Sequence, residues 1–158
     1  APRPDLSSPV AAEARKLLVV YTGNLLAELK PCGCAKEEDQ GGIERRMQYL
    51  NDIRKSKPNL LLLDTGDHFK EPTRQGKLKA QTLMTATEKM SYDAVALGER
   101  DLVYGSKFLE NHPIPFISSN ITLENFPLQK TRIKEFSNGL KVAVMAILFE
   151  KPCWAEYF

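Results

Sequence analysis

Cys32 and Cys34 stand one residue apart around Gly33, and this spacing is the sharpest chemical feature of the sequence. Two cysteines so close can form a disulfide only where the backbone turns tightly, because their Cα atoms must come within about 6.8 Å. Gly33 permits that turn. A ring this small removes little chain entropy and strains the bridge, which suits a labile, catalytic or regulatory bond better than a structural staple. The pair is therefore a candidate for thiol-disulfide exchange, the more exposed thiol attacking a partner disulfide and the other resolving it. Cys153, in Glu150-Lys151-Pro152-Cys153-Trp154, is a candidate resolving thiol. Two alternatives stand beside this reading. The pair could be incidental to its loop, or Cys32, Cys34 and Cys153, with His68, could hold a soft metal such as zinc or copper. Lys30 and Lys36 favour a thiolate here while Glu28, Glu37, Glu38 and Asp39 oppose it, so the local sign is undecided.

A second group of residues lies in three short segments, Thr22-Gly23-Asn24, Thr65-Gly66-Asp67-His68 and Gly98-Glu99-Arg100-Asp101. Each taken alone reads as a turn, since Gly, Asn and Asp are ordinary turn residues. Each, however, follows an apolar run. The runs are Leu17-Leu18-Val19-Val20-Tyr21, Asn59-Leu60-Leu61-Leu62-Leu63-Asp64 and Ala94-Val95-Ala96-Leu97, with Pro115-Phe116-Ile117-Ser118-Ser119 as a fourth. The first reads as a strand buried on both faces, as in a parallel sheet. Between the runs, apolar residues recur at helical spacing over residues 42–55 and 77–90, and residues 106–111 suggest a shorter turn or helix. The βαβαβ order gives an α/β sandwich whose three segments converge at the carboxyl ends of the strands. Residues 131–136 and 140–147, joined through Ser137-Asn138-Gly139, read as a C-terminal β-hairpin. His68 and His112 read as structural histidines. Arg100 either pairs with Glu99, Asp101 or Asp67, or recognises an anion.

With 158 residues the chain has the size of one domain. Its 42% hydrophobic and 27% charged residues are near globular averages, and no apolar run approaches the about 20 residues of a membrane helix. A net charge of +2 with interleaved signs gives no footprint for nucleic acid. Residues 1–15, beginning Ala1-Pro2-Arg3-Pro4, read as a flexible leader of an exported chain whose signal has been cut, with the folded domain over residues 16–158.

At these residues the sequence resembles the metallophosphoesterase domain of the periplasmic 5'-nucleotidase (UshA-like) family. Residues 18–24 resemble its first metal-motif strand, Gly41-Gly42-Ile43-Glu44-Arg45-Arg46 its Gly-Gly lead into a basic first helix, and residues 61–67 its strand-Gly-Asp motif. Tyr92-Asp93-Ala94-Val95-Ala96-Leu97-Gly98 is similar to the strand before its Gly-Asn-His-Glu motif, and residues 115–121 to its Phe-Pro-x-x-Ser-x-Asn-Ile segment. The resemblance implies the N-terminal part of a calcineurin-like α/β sandwich. It also implies that the ligand set has decayed. Asn24 stands at the first Asp position and Leu26 at the His position, Glu99 replaces the metal-binding Asn and Arg100 the phosphate-contacting His, while Asp67 matches. A dinuclear site clamps both the attacking and the leaving oxygen of a phosphoester, so a complete two-metal site is expected to be absent.

The stretch from Tyr21 through Glu28-Leu29-Lys30-Pro31-Cys32-Gly33-Cys34 to Arg46 is similar to a narrower UshA-like (seleno)protein group, which implies redox or soft-metal chemistry in the first loop. The expectation is thus an exported, periplasmic or extracellular, degenerate metallophosphoesterase-fold protein exchanging thiols with a redox partner protein. The alternatives are a binding or assembly protein, including a homo-oligomer, that uses the old active-site face, and a residual phosphoesterase.

Overall fold

The computed structural model describes residues 16–32 and 40–149. The expected leader, Cys34 and Cys153 lie outside the described residues. In chain order the elements are strands β1 (Leu18–Thr22), β2 (Pro31–Cys32) and β3 (Gln40–Gly41), helix α1 (Ile43–Ser56), β4 (Leu60–Asp64), α2 (Arg74–Met90), β5 (Ala94–Ala96), a 3-10 turn (Glu99–Leu102), α3 (Ser106–Glu110), β6 (Phe116–Ile117), β7 (Arg132–Glu135) and β8 (Lys141–Val144). The main sheet is parallel, in the order β1-β4-β5-β6. Val20, Leu62, Val95 and Phe116 point from it into a core filled by Leu50 of α1, Ala80, Leu83, Met84 and Met90 of α2, and Leu109 of α3. The apolar positions of α2 recur at three- and four-residue intervals, which is why that helix buries one stripe.

The opposite face is covered unevenly. The β7–β8 hairpin fastens to the amino ends of the strands, where Lys134 Nζ donates to Leu60 O at 2.8 Å and to Asp93 Oδ1 at 2.6 Å. Leu61 of β4 is buried there, but Val19 and Tyr21 of β1 are 46% and 74% exposed. The expectation that the first strand is buried on both faces is therefore corrected. β1 is an edge strand, and its apolar run fills only the helix side. Beyond the hairpin, Met145, Ile147 and Phe149 alternate outward with Ile133 on the facing strand, leaving an apolar stripe in solvent.

Helix boundaries moved for identifiable reasons. α2 begins at Arg74 rather than residue 77, because Thr73 Oγ1 accepts the N–H of Gly76 at 2.9 Å and starts the helix one turn before its first apolar residue. The hairpin turn closes as expected at Asn138-Gly139, with Gly139 at φ 75°. Its strands are shorter than the apolar runs that announced them.

Candidate functional site

The segments after β1, β4 and β5 do converge. Asn24 N–H donates to Gly66 O at 2.8 Å, Leu26 N–H to Asp67 O at 3.1 Å and Ala27 N–H to His68 O at 2.7 Å, so the first loop is laced onto the second. Asn24 and Asp67 both adopt positive φ, 53° and 58°. The close approach needs glycine: a Cβ on Gly98 would lie 2.5 Å from Asp67 N. Arg100 N–H donates to Asp67 Oδ1 at 3.0 Å. Asn24, Asp67 and the Glu99-Arg100 turn thus occupy one mouth at the carboxyl end of the sheet.

Beneath this mouth lies a carboxylate that the sequence reading left as an alternative partner for Arg100. Asp101 is fully buried, and its two oxygens accept the N–H groups of Asp67 at 3.0 Å, His68 at 2.8 Å and Gly98 at 2.8 Å. The expected side-chain pairing of Arg100 is corrected accordingly. Asp101 faces inward, Asp67 takes the Arg100 backbone, and the exposed guanidinium donates through Nη1 to Lys70 O at 3.4 Å. The signal for Asp101 was its place three residues after Gly98, where a short acidic side chain can fold back onto the amide groups of its own turn.

His68 is a core residue. Its Nδ1 lies 2.9 Å from Asp101 Oδ1, and its Nε2 lies 3.3 Å from Asp64 Oδ1 without the geometry of a hydrogen bond. Burial opposes its protonation, but the hydrogen bond and charge of Asp101, with the charge of Asp64, prevail and hold its pKa above the ordinary histidine value. Asp64 also accepts Thr22 Oγ1 at 2.5 Å, and Thr22 shares a 2.7 Å hydrogen bond with the Tyr92 hydroxyl. Burial foremost, with the Asp64 charge, pushes that hydroxyl up, against Thr22 and Arg46, so it stays protonated. His112 is likewise engaged, its Nδ1 lying 2.5 Å from Glu88 Oε1.

Cys32 is exposed and free at the end of β2, where Pro31 pairs with Gly41 and Cys32 with Gln40. Ile43 N–H donates to Leu29 O at 3.0 Å, which ties this small ladder to the start of α1. The structure therefore separates two groups that the soft-metal alternative joined: Cys32 is at the surface and His68 is sealed in the core. For a metal, the mouth offers, among the described residues, Asp67 and Glu99 beside the Arg100 cation, a set that by itself does not fit the two-metal centre of a phosphoesterase. Among the described residues no three His, Cys, Asp or Glu side chains are grouped to hold a metal ion.

No protein-family model matches the chain. Snake venom 5'-nucleotidase from Naja atra is 29% identical over 116 residues, covering 67% of this chain and 22% of that protein. The fold resembles that of the 5'-nucleotidase precursor from Thermus thermophilus, with a TM-score of 0.71 and 22% identity over 84% of this chain and 28% of that one. The NAD nucleotidase of Haemophilus influenzae aligns with a TM-score of 0.69 and 19% identity, over 84% of this chain and 26% of that one. The chain spans about a fifth of the length of the curated relatives it matches. Sequence similarity and fold point the same way: the chain is similar to 5'-nucleotidases and has the calcineurin-like phosphoesterase fold.

Proposed function

We propose that this is an exported, degenerate phosphoesterase-fold protein whose working groups are the thiols of Cys32 and Cys34. The observation that carries the reading is the placement of Cys32, exposed on a ladder fixed to α1 and reached from the mouth through the laced residues Leu26 and Ala27. In the exchange, the Cys32 thiolate attacks a partner disulfide, forming a mixed disulfide and releasing one partner thiolate. The Cys34 thiolate then attacks Cys32 Sγ, closing the Cys32–Cys34 bond and releasing the second. The partner gains two electrons and the pair loses two. Cys153 is an alternative resolving thiol. Export to the periplasm or the extracellular space fits a pair that works by disulfide exchange.

Thiol counting by mass spectrometry in defined glutathione buffers tests this. The expected result is a Cys32/Cys34 couple that cycles at a potential above about −270 mV, as oxidoreductases do, and that Cys32→Ser abolishes. A pair that stays locked or inert across the range overturns the reading. The mouth would then be a binding surface, a second reading favoured by the exposed guanidinium of Arg100 beside Asp67. Phosphatase activity with manganese that disappears in Asp67→Ala would overturn both in favour of a hydrolase.

A further inference from the structure

We infer that the groove between α2 and α3 binds a small aromatic oxyanion, at a site distinct from the mouth and independent of the thiol chemistry. The groove encloses about 610 Å³, within the range of small-molecule sites. Lys77, Gln81 and Thr85 line it from α2 at four-residue spacing, so they share one helix face. Lys107 and Asn111 face them from α3 and its end, and among the described residues no carboxylate lines the groove. Among the described residues, neither Lys77 nor Lys107 has a carboxylate at ion-pair distance. Glu88, behind the groove, is engaged by His112. The Thr85 hydroxyl and the Asn111 amide already donate to Gln81 O and Lys107 O, so the two ammonium groups and the Gln81 amide are the donors the groove offers, and they are matched by an anion that accepts from several directions.

The wall supplies the second half of the recognition. The rings of Tyr104 and Phe108 meet at 5.3 Å, and both pack on the buried Phe69, at 5.5 and 5.4 Å. The Tyr104 hydroxyl is pinned to Glu71 O at 2.7 Å, and it passes over Gly76, where a Cβ would lie 2.7 Å from Tyr104 Oη. A glycine on the groove side of α2 is thus what lets this ring lie down. Rigid aromatic faces beside paired cations suit a planar body carrying a negative group.

The probe is phenylphosphonate, which carries no hydrolysable ester, titrated into the whole chain and followed by backbone amide NMR shifts. Saturable shifts on the facing surfaces of α2 and α3 are expected, with affinity reduced at least tenfold in Lys77→Gln and in Lys107→Gln. Both side chains are exposed, and unchanged spectra away from the groove will show that each variant is folded. Inorganic phosphate is expected to bind more weakly than phenylphosphonate. Absence of saturation, affinity indifferent to both substitutions, or shifts confined to residues 65–68 and 98–101 would overturn the inference. Equal binding of inorganic phosphate would overturn its aromatic part.

Discussion

Asp67 and Asp101 hold each other's loops. The buried Asp101 carboxylate accepts the Asp67 N–H at 3.0 Å, and Asp67 Oδ1 accepts the N–H of Arg100, the residue before Asp101, at the same distance. A carboxylate that accepts several amide groups in a sealed site is a strong fastener, because removing it strands every donor.

Asp101→Ala is therefore expected to destabilise the fold by about 3–5 kcal/mol, in the range for breaking a buried charged network. Urea denaturation measures this. A loss below about 1 kcal/mol would show that the loops hold without it.

Metal removal should leave the fold unaffected. The mouth is fastened by hydrogen bonds among protein groups, so EDTA and added manganese are each expected to leave the melting temperature within error of the untreated protein. A rise of several degrees with manganese would reveal a bound ion stabilising the native state.

The pH dependence follows from His68. Its unfolded value is near 6.5 and its folded value is higher: burial opposes the charge, but Asp101 and Asp64 outweigh it. The folded state binds this proton more tightly, so the contribution of His68 is fully present below about pH 6.5 and is lost as pH rises through the folded value. The stability difference between the parent and His68→Gln, read from urea midpoints, should shrink with rising pH. A difference that grows would reverse the sign.

Two glycines separate a soft clash from a hard one. A Cβ at Gly23 would meet Thr65 Oγ1 at 1.7 Å, but that is a side-chain atom that can rotate away. At Gly98 the Cβ would meet the Asp67 backbone N at 2.5 Å. Gly98→Ala should therefore be the more damaging, by about 2–3 kcal/mol, despite the longer distance. The reverse ranking in thermal melts would refute the argument.

The apolar stripe of Ile133, Met145, Ile147 and Phe149 predicts self-association, since contiguous exposed apolar surface marks interaction sites. Sedimentation should show concentration-dependent oligomers that Met145→Ser with Phe149→Ser dissolves. A monomer at all concentrations would count against it.

Much of this was legible in the sequence. The runs ending at Tyr21, Asp64 and Leu97 announced the parallel strands, and the Gly-containing segments after them announced the mouth. The exposure of Val19 and Tyr21 was not legible, because an edge strand and a central strand can carry the same apolar run; position in the sheet decides. The β2–β3 ladder was also missed, as two-residue strands have no period. Asp101 was visible as a residue but not as a fastener, since its role depends on amide groups at positions 67 and 68, on another loop.

The sheet's spatial order repeats the order of its strands along the chain, β1, β4, β5, β6. Each strand therefore docks beside the one completed just before it, and the sheet can lengthen as the polypeptide leaves the ribosome, without waiting for distant partners. The exception is the hairpin tip, where Asn138 Nδ2 donates to Lys16 O across 122 positions. That contact cannot form until residue 138 has been synthesised, so the start of β1 is tied to the hairpin only after the four parallel strands are complete.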